Sequence, residues 1–186
     1  MARPELTEHL PTGALGKHHW IEPLNDGTHV LIRPLEPQDR EREFAFIKHL
    51  SPQSRRLRFL ATINEPSESM LDQLMDVDCC RRMAYVGLSM DQGKLIETGV
   101  ARYAALADSS QCESAVVVAD SWQRKGLGTL LMKHLINTAR LNGFTEMLSI
   151  DSEANSGMHR LANKLGFVRR QDPLDATQVI HRLNLC

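Results

Sequence analysis

Aromatic residues are scarce, at 5 % of 186, and no apolar run approaches the roughly 18 residues that a membrane-spanning helix needs. The N-terminus lacks the apolar core of a signal peptide, so the expected location is the cytoplasm. The four cysteines show no Cys-x-x-Cys spacing, and adjacent Cys79 and Cys80 are badly placed to pair with each other, which points to reduced thiols. His18-His19 has no further ligands at a supporting spacing, and His-Glu-x-x-His and Gly-x-Ser-x-Gly are missing. No metal is expected. Charge of one sign is also lacking: 22 basic against 23 acidic residues give a net charge of -1, which offers no general reason to expect a nucleic acid or an acidic membrane as partner.

What is present, 42 % hydrophobic and 24 % charged residues, suits a single soluble globular domain. Residues 1–27 carry Pro4, Pro11 and Pro23 without sustained periodicity and read as an extension that is loosely ordered or wraps the domain, leaving 28–186 as the domain. Trp20 and Ile21 could dock on the surface or mediate self-association, so both a monomer and a homodimer stay open. A strand over 29–35 is followed by a helix opening at Pro37 and a second start at Ser51-Pro52. Arg55, Arg56 and Arg58 make either a cationic lip or a solvated helix face. A short helix over 66–77 precedes a hairpin of 83–90 and 95–106 joined at Asp91-Gln92-Gly93-Lys94. Downstream come a strand over 145–151, parallel to its predecessor because a helix joins them, a helix over 155–165, and a closing pair of strands at 167–170 and 178–185.

The most informative stretch is 112–131. Ala115 to Ala119 reads as a short strand buried on both faces, and Leu127, Leu130, Leu131 and Leu135 recur at helical spacing until Asn142-Gly143. Between them lies Gln123-Arg124-Lys125-Gly126-Leu127-Gly128. The first amides of a helix have no intrahelical partner and the helix dipole adds positive charge there, so two glycines at that point make an anion site. A P-loop is excluded because the lysine precedes the first glycine, and a dinucleotide fingerprint because position 131 is leucine.

This loop resembles the Gln/Arg-x-x-Gly-x-Gly/Ala pyrophosphate loop of the GCN5-related N-acetyltransferase (GNAT) superfamily. The order of elements over 29–185 is similar too, as are Asn155-Ser156-Gly157-Met158 opening the last helix and Lys164-Leu165-Gly166-Phe167 ending it. Ile32-Arg33-Pro34, Ser51-Pro52, Gly99-x-Ala101-Arg102-Tyr103 and Glu113-x-Ala115 resemble the acetyltransferase domain of bacterial protein lysine acetyltransferases. The resemblance implies an α/β (α+β) GNAT fold: a mixed, mostly antiparallel sheet splayed at the cofactor groove and flanked by helices. It implies acetyl-CoA as donor, its pyrophosphate held by the backbone around Gln123, Arg124, Lys125, Gly126, Leu127, Gly128 and Thr129. Val116, Val117 and Val118 would pair with the pantetheine arm, and Asn155 and Met158 would contact it from the other side.

The same resemblance assigns Glu113 as general base, with a backbone N–H of Val116 or Val117 facing the thioester carbonyl. Many members place a tyrosine in the last helix to protonate the departing thiolate; the aligned position here is Ala162, which leaves Ser156 or a water for that role. The expected function is acetyl transfer to a primary amine, a protein lysine first. The alternatives are a small amine acceptor and a CoA-binding sensor without chemistry. Acceptor contacts come from variable helices and loops, so the sequence leaves the acceptor open.

Overall fold

Gln92 and Gly93 both take left-handed backbone angles, with φ of 46° and 79°. Two such residues in a row match the twist of the strands they join, so the hairpin turns over two residues and each strand reaches one residue nearer the turn than the spacing predicts, to Asp91 and from Lys94. The computed structural model containing this hairpin describes residues 19–107 and 110–186. Its strands are β1 (Trp20–Pro23), β2 (His29–Pro34), β3 (Arg82–Asp91), β4 (Lys94–Ala105), β5 (Gln111–Val118), β6 (Glu146–Ser152), β7 (Val168–Gln171) and β8 (Gln178–Asn184). The helices are α1 (Arg40–His49), α2 (Pro52–Phe59), α3 (Glu68–Met75), α4 (Leu127–Leu141) and α5 (Ser156–Lys164). The strands form one sheet in the order β1-β2-β3-β4-β5-β6-β8-β7. Every neighbouring pair is antiparallel except β5 and β6.

The period-2 alternation of β3 divides the interior between the two faces of the sheet. Met83 and Tyr85 join Leu127, Leu131, Leu135, Met158 and Ala162 under α4 and α5. Ala84, Val86 and Leu88 join Leu35, Phe46, Ile47 and Val117 under α1. Gly99 sets how closely α4 approaches. A Cβ there would lie 3.1 Å from the Val117 carbonyl oxygen and 3.2 Å from Leu127 and from Leu131, tighter than side chains normally pack.

Two expectations change. The central strand does not span Ala115 to Ala119 with both faces buried: it covers Gln111–Val118, and Ala119 leads into a 3₁₀ turn. Ala115, Val116 and Val118 are only half-buried, because β5 has lost its neighbour on one edge at that level. Second, Trp20–Pro23, inside the stretch read as an extension, pairs with β2 and so belongs to the sheet. Its anchor is Trp20, whose ring stacks on His134 at 3.9 Å and meets Tyr85 edge-on at 5.5 Å. Residues 1–18 lie outside the described residues.

Candidate active site

β5 and β6 are bonded only at Gln111↔Glu146, Cys112↔Met147 and Glu113↔Leu148. The last link is the Ser114 hydroxyl, which donates to the Leu148 carbonyl at 3.2 Å. Beyond it the strands part, while the other edge of β5 stays paired with β4 as far as Gly99↔Val118. A groove of about 640 Å³ opens in the gap, walled by Ala115 to Val118 on one side and by Ile150 and Asp151 on the other. The backbone edge of Val116 to Val118 therefore offers strand-type hydrogen bonds to whatever enters.

At the end of β5 the chain is pinned before it turns. The Asp120 carboxylate accepts from the Ser51 amide at 2.9 Å, the Ser51 hydroxyl at 2.8 Å and the Ser54 hydroxyl at 2.7 Å. Burial alone would raise this carboxyl, and these donors reverse the effect and hold it below its ordinary value. The Gln123 side-chain Nε2 donates to the Val118 carbonyl at 3.1 Å and so folds the loop back on the strand. Gly126, at φ 98°, occupies the N-cap of α4. The first helical bonds run from Thr129 and Leu130 to the Gly126 carbonyl, at 3.0 and 3.2 Å. The amides before Thr129 thus precede the ladder at the positive end of a 15-residue helix. This is a cradle for an anion.

Of the predicted residues, the groove gathers Val116, Val117, Val118, Gln123, Arg124, Gly126, Gly128, Thr129, Asn155 and Met158. Asn155 spends its side-chain oxygen as the N-cap of α5, accepting from the Met158 amide at 3.1 Å. Lys125 and Leu127 are not on the groove wall. The Lys125 amine pairs with Asp26 at 3.1 Å and lies over the Trp122 ring, and Leu127 is buried in the core. Asn25 was not expected there: its amide bonds to the Lys125 carbonyl at 2.9 Å and its side chain borders the groove over Gly126. The only sequence signal for it was the Asn25-Asp26-Gly27 turn.

Glu113 stands elsewhere. It is exposed and lines a second cleft of about 380 Å³, where Phe59, Met70, Leu74 and Val77 supply apolar wall. The two clefts meet at Ala115 and Arg58, which border both. The three arginines of α2 take three different roles. Arg55 turns back on the carbonyls of Lys48, Leu50 and Ile63, and Arg56 is exposed. Arg58 is half-buried at the junction, where desolvation, with Arg102 adding like charge, lowers its guanidinium to about 10, still protonated at neutral pH.

Beneath the second cleft lies a layer of buried charge. Arg33 clasps Asp39 in a fork, at 2.6 and 2.7 Å. Arg102 donates to Glu43 at 2.6 Å and to the Leu74 carbonyl at 2.7 Å, tying β4 to α1 and α3. Among the described residues no donor reaches either carboxyl oxygen of Glu97, which is 5 % exposed, or Oε2 of Glu43; a protonated Glu97 carboxyl bonds to Glu43 instead. Burial, followed by the charge of Glu43, raises the Glu97 carboxyl well above its usual range. Burial also pushes the Cys112 thiol to about 12, which leaves it unreactive. Among the described residues no group of three His, Cys, Asp or Glu is placed to hold a metal ion, and no helix is long and apolar enough to cross a membrane.

Residues 81–167 match the model of the acetyltransferase (GNAT) family. The chain is 55 % identical over 167 residues to an acetyltransferase of Pseudomonas aeruginosa, with 90 % of each chain covered. It is 27 % identical over 146 residues to the acetyltransferase Pat of Mycolicibacterium smegmatis, covering 78 % of this chain and 43 % of that one. Among solved structures, the GNAT domain of the S. lividans PAT superposes with a TM-score of 0.80 at 22 % identity, over 89 % of this chain and 96 % of that one. A Salmonella typhimurium protein solved with acetyl-CoA gives 0.62 at 20 % identity, over 86 % and 95 %. At these identities the structural likenesses speak for the fold.

Proposed function

The chain belongs to the GNAT family of N-acetyltransferases, and from that premise we propose that it moves the acetyl group of acetyl-CoA to a primary amine, a protein lysine first, with Glu113 as general base. The observation that carries this reading is the meeting of two clefts at Ala115: one with a free strand edge and an anion cradle, the other with an acid and an apolar wall. In the first, the pyrophosphate rests on the amides before Thr129, and the pantetheine amides continue the sheet along Val116 to Val118. In the second, Phe59, Met70, Leu74 and Val77 suit the methylene stem of a lysine.

A lysine amine with a reference pKa of about 10.4 is a free base in under roughly one part in a thousand at neutral pH, so a base at the acceptor's entry has a clear task. Glu113 takes that proton directly or through one water. The amide of Val116 or Val117 faces the carbonyl oxygen as negative charge builds on it. The amine nitrogen bonds to the acetyl carbon, its second proton follows the first through Glu113 to water, the carbon–sulfur bond breaks, and coenzyme A leaves with its sulfur taking up a proton.

The test is to incubate the protein and its Glu113→Gln variant with isotopically labelled acetyl-CoA and a cell extract, and to find labelled sites by mass spectrometry. Labelled lysines are expected with the parent. The variant should lose about 10²- to 10³-fold in kcat while its Kd for acetyl-CoA stays unchanged. Label found only on small amines would overturn the acceptor; full turnover by the variant would overturn the base.

A further inference from the structure

We propose that Asp151, backed by His181 and His159, delivers the proton that the departing thiolate takes up; this rests on the acetyl-transfer reading above. The position follows from register. Paired residues of β5 and β6 differ by 35 in number at all three bonded positions, and continuing that offset past the fork sets Asp151 level with Val116 across the gap. Asp151 borders the groove there, with 12 % of its side-chain surface exposed. Ala162, in the last helix, is fully buried in the core and has no proton to give.

Behind Asp151 runs an unbroken chain. His181 Nδ1 lies 3.2 Å from Asp151 Oδ2, His181 Nε2 lies 3.2 Å from His159 Nδ1, and His159 Nε2 lies 2.8 Å from the Glu153 carbonyl oxygen. The Ser149 hydroxyl donates to the same Asp151 oxygen at 2.6 Å and fixes its carboxyl plane. His181 is 1 % exposed, whereas His159 is half-buried, so the chain leads from the groove across the face of the sheet to α5 and toward solvent.

The relay takes one hydrogen in each of its three contacts. A carbonyl oxygen only accepts, so His159 Nε2 carries a proton. Each of the other two contacts needs one more. Three protons over two imidazoles and one carboxyl leave a single mobile proton beyond two neutral rings and a carboxylate. It resides on His159, His181 or Asp151, and the three arrangements differ only by shifts along existing hydrogen bonds.

The transfer balances. Asp151 gives its proton to sulfur as the carbon–sulfur bond breaks, His181 Nδ1 reprotonates Asp151, His159 Nδ1 reprotonates His181, and His159 regains a proton from water. The two protons lost by the lysine ammonium leave separately through Glu113 to water.

Two variants and two donors test this. In the unliganded parent, nitrogen-edited NMR should show a slowly exchanging, far-downfield histidine ring N–H that vanishes in Asp151→Asn. With acetyl-CoA, Asp151→Asn should lose about 100-fold in kcat and His159→Gln about tenfold, in line with general-acid contributions. With para-nitrothiophenyl acetate, whose thiolate needs no proton to leave, both variants should match the parent. Equal losses with the two donors, no loss with acetyl-CoA, or no such ring proton would overturn the proposal. If Asp151→Asn does not fold, the donor split in His159→Gln decides. Failure of the parent to bind acetyl-CoA in calorimetry would instead remove the acetyl-transfer reading, and this relay with it.

Discussion

The two clefts are built by opposite means. The groove beside Val116 to Val118 is made of main chain: an unpaired strand edge, the start of a helix, and a glycine at φ 98°. The cleft holding Glu113 is made of side chains on α2, α3, β3, β4 and β5, set on buried ions such as Arg102–Glu43 that join segments 59 residues apart. Backbone groups cannot be substituted away and need only the right turn. Side-chain walls can change at every position, but a buried ion beneath them cannot lose its partner without a large cost. The first construction suits a constant ligand and the second a variable acceptor.

The comparison would break most visibly at Arg102. Arg102→Met strands the Glu43 carboxylate and frees the Leu74 carbonyl, and removing one partner of a buried pair costs about 3–5 kcal/mol. Denaturant unfolding should show that loss, and the acceptor KM should rise more than the Kd for acetyl-CoA. An equal effect on both would mean the clefts are not independently built. Gly126→Ala tests the other side with a smaller effect. The left-handed backbone costs a side chain about 1–2 kcal/mol, and a Cβ there would stand 3.2 Å from the Asn25 side chain. Binding of acetyl-CoA should weaken about tenfold by calorimetry, with the acceptor KM unchanged.

The same contrast explains what could be read in advance. The strand, loop and helix over 111–141 are contiguous, so their apolar spacing and glycines carried them with errors of a few residues. Lys125 and Leu127 were assigned to the ligand through their backbone, by position in a motif; the motif says nothing of their side chains, which go to Asp26 and to the core. β1 was missed because its anchors on His134, the Trp20 ring and the Glu22 carboxylate, lie 114 and 112 residues away along the chain and leave no local pattern. Asp151, His181 and His159 looked like ordinary strand and helix residues. Only the sheet order, which sets β8 against β6, brings them together.

Glu97 gives the smallest effect at low pH and the sharpest test of the buried layer. Its folded-state affinity for a proton exceeds that of the unfolded chain, because burial and the neighbouring Glu43 charge both penalise the carboxylate. The folded protein therefore holds the extra proton above the ordinary glutamate value near 4.5, and linkage makes stability fall as pH rises from there. Asp39 works the other way. Burial would raise it, but the Arg33 fork outweighs that and lowers it, so its contribution is lost as pH drops below the usual carboxylate range. Glu97→Gln replaces a protonated acid by an amide of the same shape, so at pH 4.5 it should change stability by less than about 1 kcal/mol. With rising pH the variant should become progressively more stable than the parent in urea titrations. A constant difference across that window would mean that Glu97 is ionised in the fold and that the buried layer holds two adjacent carboxylates against Arg102.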